Sequence, residues 1–136
     1  MRWKGSPGAD DVKVFLSYAR ADSHVVRTLA DDLNSIGAQV FLDVETVEIG
    51  DSFQEVIRKT ILISDIVVVL MSPAYFESQW AKVELSVALE ANKRLLPVLL
   101  SGEPQGALSY LQYLDASQLS EDELAAQVSL LVRGAI

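Results

Sequence analysis

The chain has no cysteine and a single histidine, His24. That excludes a disulfide framework, a thiolate metal site and a cysteine nucleophile. One imidazole can neither build a zinc site nor serve several steps of acid–base chemistry. Long hydrophobic runs are also missing. The longest, Ile66 to Met71 and Leu95 to Leu100, fall far short of the roughly 20 residues a membrane helix needs. The opening Met1 to Gly8 has no hydrophobic stretch after its basic residues, so no secretory signal is read there, no membrane partner is expected, and the cytoplasm is the expected compartment. Positive charge is scarce as well: eleven Lys and Arg against nineteen Asp and Glu, a net charge of −8. Phosphate backbones need a concentrated basic surface, and here the basic residues are scattered, so nucleic acid is excluded as a directly bound partner. A small anionic ligand would need a local positive site against that overall field.

What is present is a chain of 136 residues, half of them apolar, the size and composition of one globular domain. Residues 1–11 read as a flexible Gly/Pro/Asp-rich lead-in, and 12–133 as a single domain in which strand and helix signals alternate five times. Val12 to Ser17 is a strand. Asp22 or Ser23 then caps a helix with Val26, Leu29, Ala30, Leu33 and Ile36 on one face and Gly37 as its stop. Gln39 to Asp43 is the second strand. After a polar loop, Val44 to Asp51, the run Ser52-Phe53-Gln54-Glu55 is a capping-box pattern opening a helix with Phe53, Val56, Ile57 and Ile61 inside. Ile66 to Met71 is the β-branched run of a strand covered on both faces, ended by Ser72-Pro73. Ser78 caps a third helix running to about Asn92. Leu95 to Leu100 and Leu111 to Ala116 are the last strands, and Ser120 to Val132 is a final helix with Leu124, Val128 and Leu131 inward. The expected fold is α/β and flavodoxin-like: a five-stranded parallel sheet, order 2-1-3-4-5, with helices on both faces. Ligands of such sheets sit beyond the carboxyl ends of the strands, which directs attention to Ser17 to Asp22, Asp43 to Asp51, Ser72 to Trp80 and Ser101 to Gly106.

Several uses of this architecture fail for want of residues. There is no GxxxxGK[ST], no glycine cluster after the first strand, and no GxSxG elbow. A phosphoacceptor receiver needs acidic residues where Ser17-Tyr18 stands and a lysine where Ser101-Gly102 stands. The acidic loop residues Asp43, Glu45, Glu48 and Asp51 lack EF-hand spacing and read as a solvated loop, so no metal is expected. One carboxylate is out of place. Glu84 interrupts the apolar run Val83 to Leu89, with Trp80 one helical turn before it on the same face. The plain reading is a solvated glutamate beside a core tryptophan. The other is a carboxylate aimed into a pocket at the ligand-binding edge, with Trp80 as its wall. Arg20 has the same two readings, a solvated arginine or a phosphate contact.

Four segments in order carry a family likeness. Val14-Phe15-Leu16-Ser17-Tyr18 resembles the first-strand box of Toll/interleukin receptor (TIR) domains. Phe41-Leu42-Asp43 with Ile49-Gly50 resembles their second strand and BB loop. Ser72-Pro73-Ala74-Tyr75-Phe76 and the Trp-x-x-x-Glu-Leu helix from Trp80 to Leu85 resemble the third box. The resemblance runs from about Asp11 to Leu100. It implies a flavodoxin-like fold, assembly through the BB loop, and NAD cleavage with the helix glutamate catalytic, which falls on Glu84. It also implies that Phe15, Tyr18, Arg20 and Asp43 help shape the pocket. Ile49-Gly50 stands where animal members carry Pro-Gly, Ala81 where a cysteine is frequent, and Tyr113-Leu114-Asp115 has no Phe-Trp box. These departures favour a bacterial-type domain.

A single glutamate suits that chemistry. Glycosidases ordinarily use two carboxylates, one to protonate a poor leaving group. Nicotinamide starts as a pyridinium and leaves neutral, so no acid is needed. The expectation is therefore an NAD glycohydrolase with NAD as substrate and no cofactor. It would act after self-assembly with other TIR domains through Val47, Ile49 and Gly50, beside a sensor domain or partner protein, as a bacterial defence effector. The alternatives are a non-catalytic TIR scaffold and a nucleoside deoxyribosyltransferase-like enzyme.

Overall fold

The computed structural model describes residues 12–42 and 52–135. Asp43 and the loop holding Val47, Ile49 and Gly50 lie outside the described residues, as do residues 1–11. Five strands, β1 (Lys13–Ser17), β2 (Gln39–Phe41), β3 (Ile66–Met71), β4 (Arg94–Leu99) and β5 (Leu114–Asp115), form one sheet in the order β2-β1-β3-β4-β5. Every pairing between neighbours is parallel. The expected order is the observed one.

Strand β3 is apolar throughout and buried throughout because it lies between β1 and β4 with helices on both faces. Alternation along the strands sorts their side chains. Val14, Leu16, Val68 and Leu70 pack with Val26, Leu29 and Leu33 of α1 (Ser23–Ser35) and with Leu124 and Val128 of α5 (Glu121–Gly134). Phe15, Val67, Val69 and Met71 pack with Ile57 and Ile61 of α2 (Phe53–Ile63) and with Ala81 and Ala88 of α4 (Gln79–Glu90).

The helix punctuation follows local chemistry. The Ser78 hydroxyl accepts the Ala81 N–H at the start of α4. Ser120 and Glu123 exchange hydrogen bonds in a full capping box at the start of α5. Gly37, at φ 96°, takes the left-handed conformation that stops α1, a conformation costly for any residue with a Cβ.

Four expectations need correction. Ser72-Pro73 does more than end β3. The Ser72 hydroxyl accepts the Tyr75 N–H, and Pro73 opens a short helix, α3 (Pro73–Glu77), where its missing N–H costs nothing. Strand β5 is only two residues long, and residues Gly106–Tyr110 ahead of it form a 3₁₀ turn. Leu131 is 45% exposed, and Val132 is buried in its stead. At 100° per residue, the inward face of α5 centres between Leu124 and Ser129, and Leu131 falls roughly 90° off that centre. Helix α4, apolar nearly all round in sequence, fully buries only Ala81 and Ala88.

Candidate active site

The site begins where β1 ends. Ser17 follows Leu16, so its side chain leaves the opposite face of the sheet, the face of Phe15. Its register partner is Val69 in β3. Strand β3 runs on to Met71, after which α3 carries Tyr75 back over the end of β1. The Tyr75 hydroxyl lies 2.9 Å from Ser17 Oγ. Helix α4 then brings in Glu84, whose Oε1 accepts the Ser17 hydroxyl at 2.8 Å.

These contacts have a direction. Ser17 has one hydroxyl proton, and it goes to Glu84; the Ser17–Tyr75 contact is therefore donated by Tyr75. Burial pushes the Tyr75 phenol well above its ordinary pKa, and the nearby Glu84 charge pushes the same way. Tyr75 thus keeps its proton and remains a donor. Ser17 is 0% exposed and Tyr75 2%, while Glu84 is half-buried. The result is a chain of two buried hydroxyls ending on a carboxylate at the solvent margin.

A second clamp fixes the frame. The Ser72 hydroxyl donates to Asp22 Oδ2 at 2.6 Å. Asp22 is the N-cap residue of α1 but makes no side-chain cap there. Its carboxylate ties the turn after β1 to the start of α3.

The other candidates differ in exposure and in the face of the sheet they occupy. Trp80, a turn ahead of Glu84, is 49% exposed, so it is not a core residue. Arg20 is exposed in the 3₁₀ turn Arg20–Asp22 that follows β1. Phe15 is enclosed in the core under α2 and α4. Tyr18 packs on the opposite side of the sheet, in a groove of about 250 Å³ shared with Val26, Ala30 and Leu42. Ser17 and Tyr75 were not singled out as site residues. The available signal was a lone hydroxyl following the apolar run Val14-Phe15-Leu16 and a tyrosine inside the third-box segment. Among the described residues no group of three or more His, Cys, Asp or Glu is placed to hold a metal ion, and no helix is long and apolar enough to cross a membrane.

The sequence profile described as "TIR domain" matches residues 14–132. The chain belongs to the TIR domain family. This TIR domain is 30% identical over 122 residues to the NAD(+) hydrolase TcpC of Escherichia coli O6:H1, covering 85% of the chain and 38% of that protein. It is 32% identical over 127 residues to the NAD(+) hydrolase TirS of Staphylococcus aureus, covering 85% and 45%. A shorter match, 34% over 89 residues, is to the 2′ cyclic ADP-D-ribose synthase BtTIR of Bacteroides thetaiotaomicron, covering 62% and 31%. The chain spans less than half the length of these relatives. Among solved structures, the TIR domain of the Toll-related receptor TRR-2 from Hydra magnipapillata superposes with a TM-score of 0.74 at 24% identity, covering 89% of this chain and 97% of that one. At that identity the likeness speaks to the fold.

Proposed function

We propose that this TIR domain cleaves NAD to nicotinamide and ADP-ribose or a cyclic isomer, with Glu84 as the catalytic carboxylate. The observation that carries the reading is the position of Glu84: a half-buried carboxylate, tied to the end of a central strand, at the edge where α/β sheets bind ligands. The names of the bacterial relatives support it. In the reaction the bond between the ribose C1′ and the pyridinium nitrogen breaks, its electron pair neutralising that nitrogen. Nicotinamide departs without a proton. The cationic ribose centre then takes the oxygen of water, or of a hydroxyl of the same molecule to give the cyclic product, and in either case the attacking oxygen loses its proton to solvent. A fixed anion beside the ribose stabilises the developing charge, more strongly near a low-dielectric core than in water. Half-exposed Trp80 stands one helical turn before Glu84, a candidate wall for the substrate, and Arg20 is a candidate cation for its phosphates, against a net charge of −8.

Assembly through the loop of Val47, Ile49 and Gly50 belongs to the same proposal, as does a role in bacterial defence under the control of a sensor domain or partner protein. The test is incubation with NAD over a hundredfold range of protein concentration, with nicotinamide and the ribose products read by chromatography. We expect nicotinamide release whose specific activity rises with protein concentration. Release at a constant specific activity removes the assembly step. No release at any concentration favours the scaffold, and base exchange on deoxynucleosides without NAD cleavage favours the transferase.

A further inference from the structure

We propose that Ser17 and Tyr75 are positioning residues for Glu84, two buried hydroxyls in series that orient its carboxylate and keep it ionised. The proposal rests on the reading of Glu84 as the group that acts on NAD, and it extends that reading to two residues that do not themselves reach solvent.

The first argument is the cost of Ser17. It is fully buried at the end of a strand, directly after the buried apolar residues Val14, Phe15 and Leu16, with Val69 as its register partner. A valine there would suit the strand and bury more apolar surface. A buried hydroxyl is tolerated only when hydrogen-bonded, and the hydrogen bonds of Ser17 run to Tyr75 and Glu84. The residue type is thus explained by those two contacts and by nothing in the packing of the sheet.

The second argument is rigidity. Glu84 reaches from α4 on a side chain with three rotatable bonds, and α4 fully buries only two alanines. Ser17 stands on β1, paired with β3 in the middle of the sheet. The 2.8 Å bond therefore fastens the carboxylate to a fixed strand end. Tyr75 sets the hydroxyl rotor of Ser17: by donating to Ser17 Oγ it leaves the serine proton aimed at Glu84. Tyr75 is itself held at the start of α3, where Ser72 accepts its N–H and donates to Asp22. Three elements, β1, α3 and α4, converge on one oxygen atom. A group that fixes the orientation of a catalytic side chain tightens its approach to the reacting centre, and errors of about 1 Å there are costly.

The third argument is charge. A donor on a carboxylate favours the anion, the form needed beside a cationic ribose. Because neither hydroxyl is exposed, both act through Glu84.

The test uses Ser17→Ala and Tyr75→Phe, with two readouts. Titration of the Glu84 carboxyl carbon by NMR, with Glu84→Gln as the assignment control, should show its pKa raised by about one unit in Ser17→Ala, and in the same direction by less in Tyr75→Phe. Turnover of NAD at saturation should fall about tenfold in Ser17→Ala with KM within about twofold, the pattern of an interaction that matters mainly in the transition state. Ser17→Thr, which keeps the hydroxyl, should recover most of both. A merely structural role would lower activity in proportion to the unfolded fraction and leave the Glu84 titration where it was. An unchanged Glu84 pKa in folded Ser17→Ala and Tyr75→Phe overturns the proposal. Should Ser17→Ala fail to fold, Tyr75→Phe carries the titration alone. Absence of NAD cleavage by the unaltered protein sinks the reading of Glu84 as catalytic, a result the titration does not share.

Discussion

On the face of the sheet covered by α1 and α5, Val14 and Leu16 of β1 meet Val26, Leu29, Leu33, Leu124 and Val128 in an apolar layer. On the face covered by α2 and α4, the same strand presents Phe15 to a similar layer and then, one pleat later, Ser17 to Tyr75 and Glu84. Leu16 and Ser17 are adjacent in the chain and serve opposite ends. The α1/α5 face holds the fold together, while the carboxyl edge of the α2/α4 face holds a charge. The two tasks separate because a strand sends successive residues to opposite sides. The helices differ accordingly. Helix α5 buries Leu124, Ala125, Val128, Ser129 and Val132, whereas α4 fully buries only Ala81 and Ala88 and leaves Glu84 at the solvent margin.

The sharpest way to break this division is a pair of substitutions, one on each face. Glu84→Gln keeps the shape of the side chain and removes its charge. It should lower nicotinamide release by about two orders of magnitude or more with little change in Tm. Leu29→Ala opens a hole in the apolar layer at a site with no exposure and should cost about 3 kcal/mol of stability in denaturant titration, while the folded fraction keeps its activity per molecule. If Leu29→Ala abolished turnover in a folded protein, or Glu84→Gln unfolded it, the division would fail.

A smaller effect sets Tyr75 apart from the exposed tyrosines Tyr110 and Tyr113. Burial raises its pKa, so above about pH 10 the unfolded chain releases a phenolic proton that the folded chain retains. The unfolded state then binds fewer protons, and stability falls as pH rises, by up to about 1.4 kcal/mol per pH unit from this one group. Below that pH the contribution is fully present. Tyr75→Phe should flatten this part of the stability profile between pH 10 and 11, and an unchanged slope would show that the phenol titrates normally in the folded state.

The smallest effect lies on the apolar face. Ser129 Oγ is buried with no hydrogen-bond partner among the described residues. Ser129→Ala should stabilise the protein by about 1 kcal/mol, since a buried unpaired hydroxyl costs more than it returns. A loss of stability would mean that the hydroxyl is bonded in solution.

Much of the fold was legible because its signals are local. The unbroken apolar run of β3, the three-and-four spacing of Val26, Leu29, Ala30 and Leu33, and the serines Ser78 and Ser120 ahead of α4 and α5 each report the conformation of their own few residues. The alternation of strand and helix then left a parallel sheet as the consistent arrangement. Leu131 was misplaced because inward faces near a helix edge are decided by which neighbour the helix lies on, here the α1 side of the sheet. Helix α3 was missed because a Ser-Pro pair that ends a strand is also a good helix start, and five residues are too few for a periodic pattern.

Glu84 was legible as an anomaly of composition, a charge in an apolar run, and its resemblance to the family's helix glutamate added the chemistry. Its two supporting hydroxyls were not. Ser17 lies 58 positions before Tyr75 and 67 before Glu84, and no local rule links residues so far apart. By itself the sequence determined the α/β class, the five strands and the principal helices, because periodicity and capping act over short stretches of chain. The tertiary structure alone decided which hydroxyl faces the carboxylate, since hydrogen bonds of about 3 Å depend on how β1, α3 and α4 pack, and that is settled by the whole core at once.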